Sequence, residues 1–296
     1  MRWSVVVPTR DGGRLFAHLA EHLTLLRQRY PDLEVLVVDS GSTDGTPERA
    51  ERAGFRVERI DPATFGHGRT RTQAAAAARG EIVCFLTQDV LPCTPDWPER
   101  FAVALADPRV AGVYGRQVPR SADAMEMFFV AMNYPAEPLR FEGHPARHHP
   151  RPGRVLFSNA FSAVRRRLLL EVPFDPDVPV SEDQVWAYEV LARGYTIVYE
   201  PTAEALHAHR YSLRGLFRRS FRIGQALQAR GIDGGASWRE GLAFLRAEVT
   251  YMVHHGHVPR LPYLLVYEAV RWAGFQVGRC AGRRVPPPRP VQMRTA

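Results

Sequence analysis

Acids, histidines and arginines gather at a few points of this sequence where their types and spacing could do chemistry. His67 and Arg71 stand four residues apart, so in a helix beginning near Gly68 both lie by its N-terminal end. Free N–H groups and the helix dipole favour anions there, and a guanidinium adds a two-pronged contact to phosphate oxygens. Glu182 and Asp183 form an adjacent acid pair just ahead of a helical stretch, and a positioned carboxylate is a common general base for a hydroxyl proton. Trp186, three residues past Asp183, shares its helical face. His207 and His209 project to one side if their segment is extended. Asp39 and Asp89 each follow an apolar run.

The elements that must position these groups alternate in type. Residues 4–7 read as a buried strand ended by Pro8, 14–29 as a helix with Leu15, Leu19, Leu23 and Leu26 on one face, and 33–39 as a second strand. Thr46-Pro47-Glu48 reads as cap, first position and first-turn acid of a helix that Gly54 stops. A third helix covers 70–79 before Gly80, and 81–87 is a third strand. Further strands are expected at 110–115, 155–161 and 195–199, with a helix at 182–193. Continuous apolar strands alternating with helices imply an α/β fold with a mostly parallel sheet covered on both faces. Ligands of such sheets sit beyond the carboxyl ends of the strands. Those ends carry Pro8-Thr9-Arg10-Asp11, Asp39-Ser40-Gly41-Ser42 and Thr87-Gln88-Asp89, so three polar loops converge on one edge.

Composition bounds the function. At 296 residues and 45% hydrophobic content the chain is an ordinary globular one. Its net charge is +8, and every basic residue is Arg, which suits phosphate-bearing partners. Cys84, Cys93 and Cys280 are irregularly spaced, so neither a zinc site nor a disulfide framework is expected and a reducing cytoplasm fits. The first apolar run is too short for a signal peptide. No stretch reaches the roughly 20 apolar residues that span a bilayer; residues 261–277 are interrupted by Glu268 and Arg271. A soluble or peripherally attached protein is expected.

The ordered motifs resemble the large family 2 of inverting glycosyltransferases. Ser4-Val5-Val6-Val7-Pro8-Thr9 and Val38-Asp39-Ser40-Gly41-Ser42-Thr43-Asp44-Gly45-Thr46 carry its opening. Phe65-Gly66-His67-Gly68, Phe85-Leu86-Thr87-Gln88-Asp89, Tyr114-Gly115-Arg116-Gln117 and Phe157-Ser158-Asn159-Ala160-Phe161 narrow the resemblance to a bacterial rhamnosyltransferase-like branch. Glu182-Asp183, Trp186 and His207 through Ser212 continue it, so it covers about the first 220 residues.

The resemblance implies a GT-A fold and a transfer, with inversion, from a nucleotide-sugar donor, in this branch dTDP-L-rhamnose, to a glycan or lipid-linked acceptor. It implies that Asp39 reads the imide of a pyrimidine base, although a loop carboxylate could instead bind backbone N–H groups. Pro8, Thr9, Arg10, Ser40 and Gln88 are expected to line the donor, with His67 and Arg71 on its pyrophosphate. Asp89 is the expected ligand of Mg²⁺ or Mn²⁺, with His207 and then His209 beside it. Thr87 stands where the family's Asp-x-Asp has its first acid. Asp183 is the implied base, Glu182 its positioner or a sugar ligand, and Trp186 either a sugar platform or core.

The domain expectation is a glycosyltransferase domain over 1–210, a helical extension over 211–285 and a flexible tail over 286–296. Interleaved arginines and bulky apolar residues after Tyr211 would suit an anionic membrane surface on the cytoplasmic side, or packing on the core or a second subunit. The rival function is a degenerate protein that binds nucleotide-sugar or glycan without turnover. Nothing resembles a nucleic-acid recognition motif.

Overall fold

A computed structural model of the chain describes residues 1–120, 123–144, 155–207, 211–232 and 238–282. His209 and the tail from 286 lie outside the described residues. Strands β1 (Trp3–Thr9), β2 (Glu34–Asp39), β3 (Arg56–Arg59) and β4 (Ile82–Leu86) pair in parallel, as β3-β2-β1-β4. The sheet continues through β5 (Leu91–Pro92), β6 (Val110–Val118), β7 (Leu139–Glu142), β8 (Phe161–Arg165) and β9 (Thr196–Leu206). Beyond β4 the order is β8-β6-β9-β5, and β7 also pairs with β9. β8 runs against both β4 and β6, while β6 and β9 are parallel. Strands β1, β2, β3, β4, β6 and β9 therefore share one direction, and their carboxyl ends meet the start of β8 at one edge.

The continuous apolar strands are explained by two cores. In β1, Val5 and Val7 face one cluster and Val6 the other, because alternate side chains point to opposite faces. The first cluster packs beneath α1 (Gly13–Arg29), α2 (Thr46–Arg52) and α4 (Trp97–Ala104). The second lies beneath α3 (His67–Ala77), α5 (Ala124–Asn133), α6 (Arg166–Glu171) and α7 (Glu182–Ala192).

Three expectations shift. α1 turns Phe16, Leu19, Leu23 and Leu26 inward and leaves Leu15 exposed, since Phe16 offers the larger apolar surface to the core. α3 begins at His67 rather than at 70. Its Gly68 lets the turn lie against another backbone, because a Cβ there would meet the Asp175 carbonyl oxygen at 2.6 Å. The strand expected over 155–161 instead starts at Phe161; Leu156 to Asn159 form a connection at the carboxyl edge.

The C-terminal helices α8 (Leu213–Ala229), α9 (Trp238–His254) and α10 (Leu261–Ala281) pack on this body. Ala226, Leu227 and Ile232 join Val178, Val185 and Tyr188, while Met252 and Leu264 meet Ala124. α8 and α10 approach to backbone contact: a Cβ on Gly278 would sit 2.0 Å from the Phe221 carbonyl oxygen, and one on Gly224 would sit 2.2 Å from that of Phe275. Only glycine permits such an approach.

Within this bundle Glu248 is buried, with Oε2 unpartnered. Burial first, then the Glu268 carboxylate, raises its pKa to about 8, against an opposing pull from Arg271. The folded chain thus holds a proton that the unfolded chain releases above its ordinary pKa of 4.5, so this group's contribution to stability falls as pH rises from there to about 8. Glu248→Gln should therefore raise the melting temperature more at pH 8 than at pH 5. Thermal unfolding at the two pH values checks this, and an equal shift at both would count against it.

Candidate active site

The carboxyl edge of the sheet organises itself from within. Asp39 is buried at the end of β2. Its Oδ1 accepts from the backbone N–H of Gly41 and Ser42, and its Oδ2 from the hydroxyls of Thr9 (3.0 Å) and Ser42 (2.5 Å). The carboxylate is saturated by its own loop. This is the backbone-binding alternative that the sequence left open for Asp39, and it engages both carboxylate oxygens. Thr9 and Ser40 are likewise buried, with the Ser40 hydroxyl donating to the Thr9 carbonyl.

Gln88 also serves the loops. It accepts from the Arg10 N–H at 2.8 Å and donates to the Arg10 carbonyl at 3.0 Å, fixing the turn after β1 to the turn after β4. Arg10 itself is exposed and Pro8 half-buried. Asp11 adopts a φ of 45°, accepts from Thr43 N–H and donates its own N–H to Ser42 Oγ. A non-glycine residue in the left-handed region is stored strain that its surroundings must hold. Asp44 accepts from the N–H groups of Gly13 and Thr46 and serves the loop.

Arg71 and Glu182 form a buried ion pair at 2.5 Å, their side chains 6% and 4% exposed. The pairing engages one Nη of Arg71 and one carboxylate oxygen of Glu182. His67 is exposed at the start of α3, edge-on to Phe65. The crowding of its ring lowers its pKa, aided by the cations of Arg71, Arg219 and Arg222 and opposed by Glu182. Arginines of α8 thus reach the anion-favouring end of α3. Trp186 is buried, donates Nε1–H to the Val172 carbonyl at 2.8 Å, and packs against Phe157 and Phe174. Stacking on a sugar is excluded by that burial.

Asp183 is only half-buried. Its Oδ2 accepts from the Asn159 N–H at 3.0 Å and its Oδ1 from the Gln184 N–H at 2.9 Å. Ser181 before it takes a φ of 66°, turning the chain so that the acid pair starts α7. Desolvation, then repulsion from Glu182, pushes the Asp183 pKa up to about 6, while the two N–H groups and Arg71 pull the other way.

Asp89 and His207 come together as expected, Oδ1 to Nε2 at 3.6 Å. Arg120 donates to the Asp89 backbone carbonyl. Thr87 presents a buried hydroxyl with no partner, and among the described residues no three acids, histidines or cysteines converge. The protein thus offers a two-ligand site for a hard cation, a set that fits Mg²⁺ or Mn²⁺ when phosphate oxygens complete it. Sequence reasoning assigned no role to Gln117, Ser158 or Asn159, although their motifs stood out. His207 Nδ1 lies 2.7 Å from Gln117 Oε1, and Gln117 Nε2 donates to Ser158 Oγ at 2.9 Å. Asn159, wholly buried, carries an unpartnered amide nitrogen.

Residues 4–172 match the family described as Glycosyl transferase family 2. The chain is 28% identical to the O-antigen chain rhamnosyltransferase RfbN of Salmonella typhimurium, over 94% of this chain and 90% of that one. It is 27% identical to WbaN of Salmonella anatum, also named an O-antigen chain rhamnosyltransferase, over 94% and 89%. Among solved structures it superposes on the mannosyltransferase PcManGT of Pyrobaculum calidifontis, in complex with GDP-Man and Mn²⁺, with a TM-score of 0.58, 24% identity and coverage of 95% and 76%. The S. aureus TarS 1–349 complex with UDP-GlcNAc gives 0.58 at 16% identity, over 95% and 91%. These likenesses make the fold GT-A.

Removing one partner of a buried ion pair leaves an uncompensated charge, at a cost of about 3–5 kcal/mol. Arg71→Met and Glu182→Gln should each lose about that much in denaturant unfolding, and the double variant should lose less than their sum. Additive losses would mean that the two charges do not depend on each other.

Proposed function

The chain belongs to glycosyl transferase family 2, and from that premise we propose that it moves L-rhamnose from dTDP-rhamnose, with inversion, onto a hydroxyl of a glycan or lipid-linked acceptor. The names of RfbN and WbaN support the sugar, and the motifs of the first half support the donor class. One observation carries the mechanism: Asp183 is held by two backbone N–H groups at the mouth of the site with its pKa raised to about 6.

In the proposed reaction Asp183 accepts the acceptor's hydroxyl proton as that oxygen attacks the anomeric carbon. The bond from that carbon to the diphosphate oxygen breaks, and the nucleoside diphosphate leaves with the electron pair. Raising the pKa of a carboxylate toward neutrality makes it a stronger base while leaving it ionised at pH 7. Glu182, neutralised by Arg71, positions the base rather than sharing its proton. The charges of Arg219 and Arg222, which act on His67, favour the developing diphosphate charge. Asp89 and His207 would hold Mg²⁺ or Mn²⁺, which supplies further charge stabilisation to the leaving group.

A membrane face belongs to the same proposal. α10 exposes Leu265, Val266, Trp272 and Val277, each about half accessible, while α8 exposes Arg214 and Arg218 one turn apart. Among the described residues no helix is long and apolar enough to cross a membrane. The apolar face with nearby arginines suits the anionic inner surface of the cytoplasmic membrane, where a lipid-linked acceptor would lie.

Two experiments test this reading. With a panel of nucleotide-sugars, dTDP-rhamnose should release the most nucleoside diphosphate, and Asp183→Asn should lower turnover by about 100- to 10,000-fold. The wild-type kcat/KM should fall as pH drops through about 6, since a protonated Asp183 accepts nothing. More than a tenth of turnover retained in Asp183→Asn would remove it as the base. For the membrane, each basic residue contributes about 1 kcal/mol near an anionic surface. Replacing Arg214 and Arg218 by Gln should therefore weaken sedimentation with anionic vesicles by roughly 30-fold. No sedimentation of the intact protein would end the membrane reading.

A further inference from the structure

Gln117, the last residue of the Tyr114-Gly115-Arg116-Gln117 motif, has no part in the reaction described above. We infer that Gln117 is a positioning residue that fixes the tautomer of His207, placing the proton on Nδ1 and turning the Nε2 lone pair toward Asp89. This rests on the reading of Asp89 and His207 as the cation end of the site.

The argument begins with what an amide can do: its carbonyl oxygen only accepts and its NH₂ only donates. Gln117 is buried, so neither end is satisfied by bulk water. Its NH₂ donates to Ser158 Oγ at 2.9 Å, and that oxygen also receives the Ala160 N–H at 3.3 Å. With the NH₂ committed to Ser158, the carbonyl oxygen faces His207 Nδ1 at 2.7 Å. That nitrogen must then be the donor. A neutral imidazole has one N–H, so Nε2 keeps its lone pair, 3.6 Å from Asp89 Oδ1.

Backbone pairing holds the two partners in register. Gln117 and Val118 pair with Ala205 and Leu206 across β6 and β9, and the His207 N–H donates to the Val118 carbonyl at 2.9 Å. The backbone positions from which the amide and the imidazole project are therefore fixed relative to each other. A lone pair beside a carboxylate is the arrangement a divalent cation requires. Groups that orient a ligating histidine through its other nitrogen typically change metal affinity by about 10- to 100-fold when removed.

The test uses the full chain labelled with ¹⁵N-histidine, without metal, donor or acceptor. His207 is assigned by comparison with His207→Asn. Long-range proton–nitrogen correlation should show the Nδ1–H tautomer in the wild type and in Gln117→Glu, which keeps an acceptor, and a shift toward Nε2–H in Gln117→Leu. In calorimetry with Mn²⁺ and dTDP, Gln117→Leu should bind the ion about 10- to 100-fold more weakly, with Gln117→Glu close to wild type. An Nε2–H tautomer in the wild type, or an unchanged tautomer in Gln117→Leu, overturns the inference. Equal losses of Mn²⁺ affinity in both variants overturn it too, since that pattern belongs to packing alone. The tautomer is measured without turnover, so its failure is distinct from failure of Asp183 as the base.

Discussion

The buried pair of Arg71 and Glu182 is the constraint on which the catalytic end of the molecule depends. Either charge alone in that environment would cost several kcal/mol, and each is nearly shut off from solvent. Together they fasten the first turn of α3 to the first turn of α7, across 111 residues of sequence. α7 starts with the acid pair, so the anchor of Glu182 also sets where Asp183 stands. It acts on the charge there as well. Desolvation raises the Asp183 pKa most, Glu182 adds to it, and the Asn159 N–H, Arg71 and the Gln184 N–H oppose it.

At the other end of the sheet edge, order comes from loops that satisfy one another. Asp39 takes four hydrogen bonds from its own neighbourhood, and Gln88 clamps the backbone of Arg10. Asp11 pays for its left-handed backbone with bonds to Ser42 and Thr43. Polar side chains that would look like ligand contacts in a sequence are thus committed before a ligand arrives. Such commitment fixes loop shape, and a preformed cleft loses less conformational entropy on binding.

That commitment marks where the sequence stopped being informative. The strands were legible because sheet residues buried on both faces read as unbroken apolar runs, as in Val5, Val6 and Val7. The edge that gathers the polar loops followed from strand direction alone. The pairing of Asp89 with His207 was also anticipated. The intramolecular partners of Arg71 and Asp39 and the burial of Trp186 were not legible, because residue type does not tell which groups of the chain a polar or aromatic side chain will meet. Trp186 shares a helical face with Asp183, yet three residues along α7 separate a half-open edge from the core. Gln117 escaped notice for a different reason. A neutral amide announces no chemistry, and its significance appears only when β6 and β9 bring it against His207.

The arginines of the C-terminal helices show how one composition serves two surfaces. A +8 chain could spread its charge evenly, but α8 divides it. Arg219 lies over the Tyr211 ring at 5.3 Å, and with Arg222 its charge registers at His67, while Arg214 and Arg218 are exposed along the same helix. The helix can serve both sides because α10 fixes its position through glycine contacts that leave no room for a side chain at Gly224 or Gly278. With backbones in contact, α8 cannot slide or rotate without a clash. The backbone that carries Arg219 and Arg222 is therefore fixed against α10, and in the proposed reaction their charge would favour the departing diphosphate.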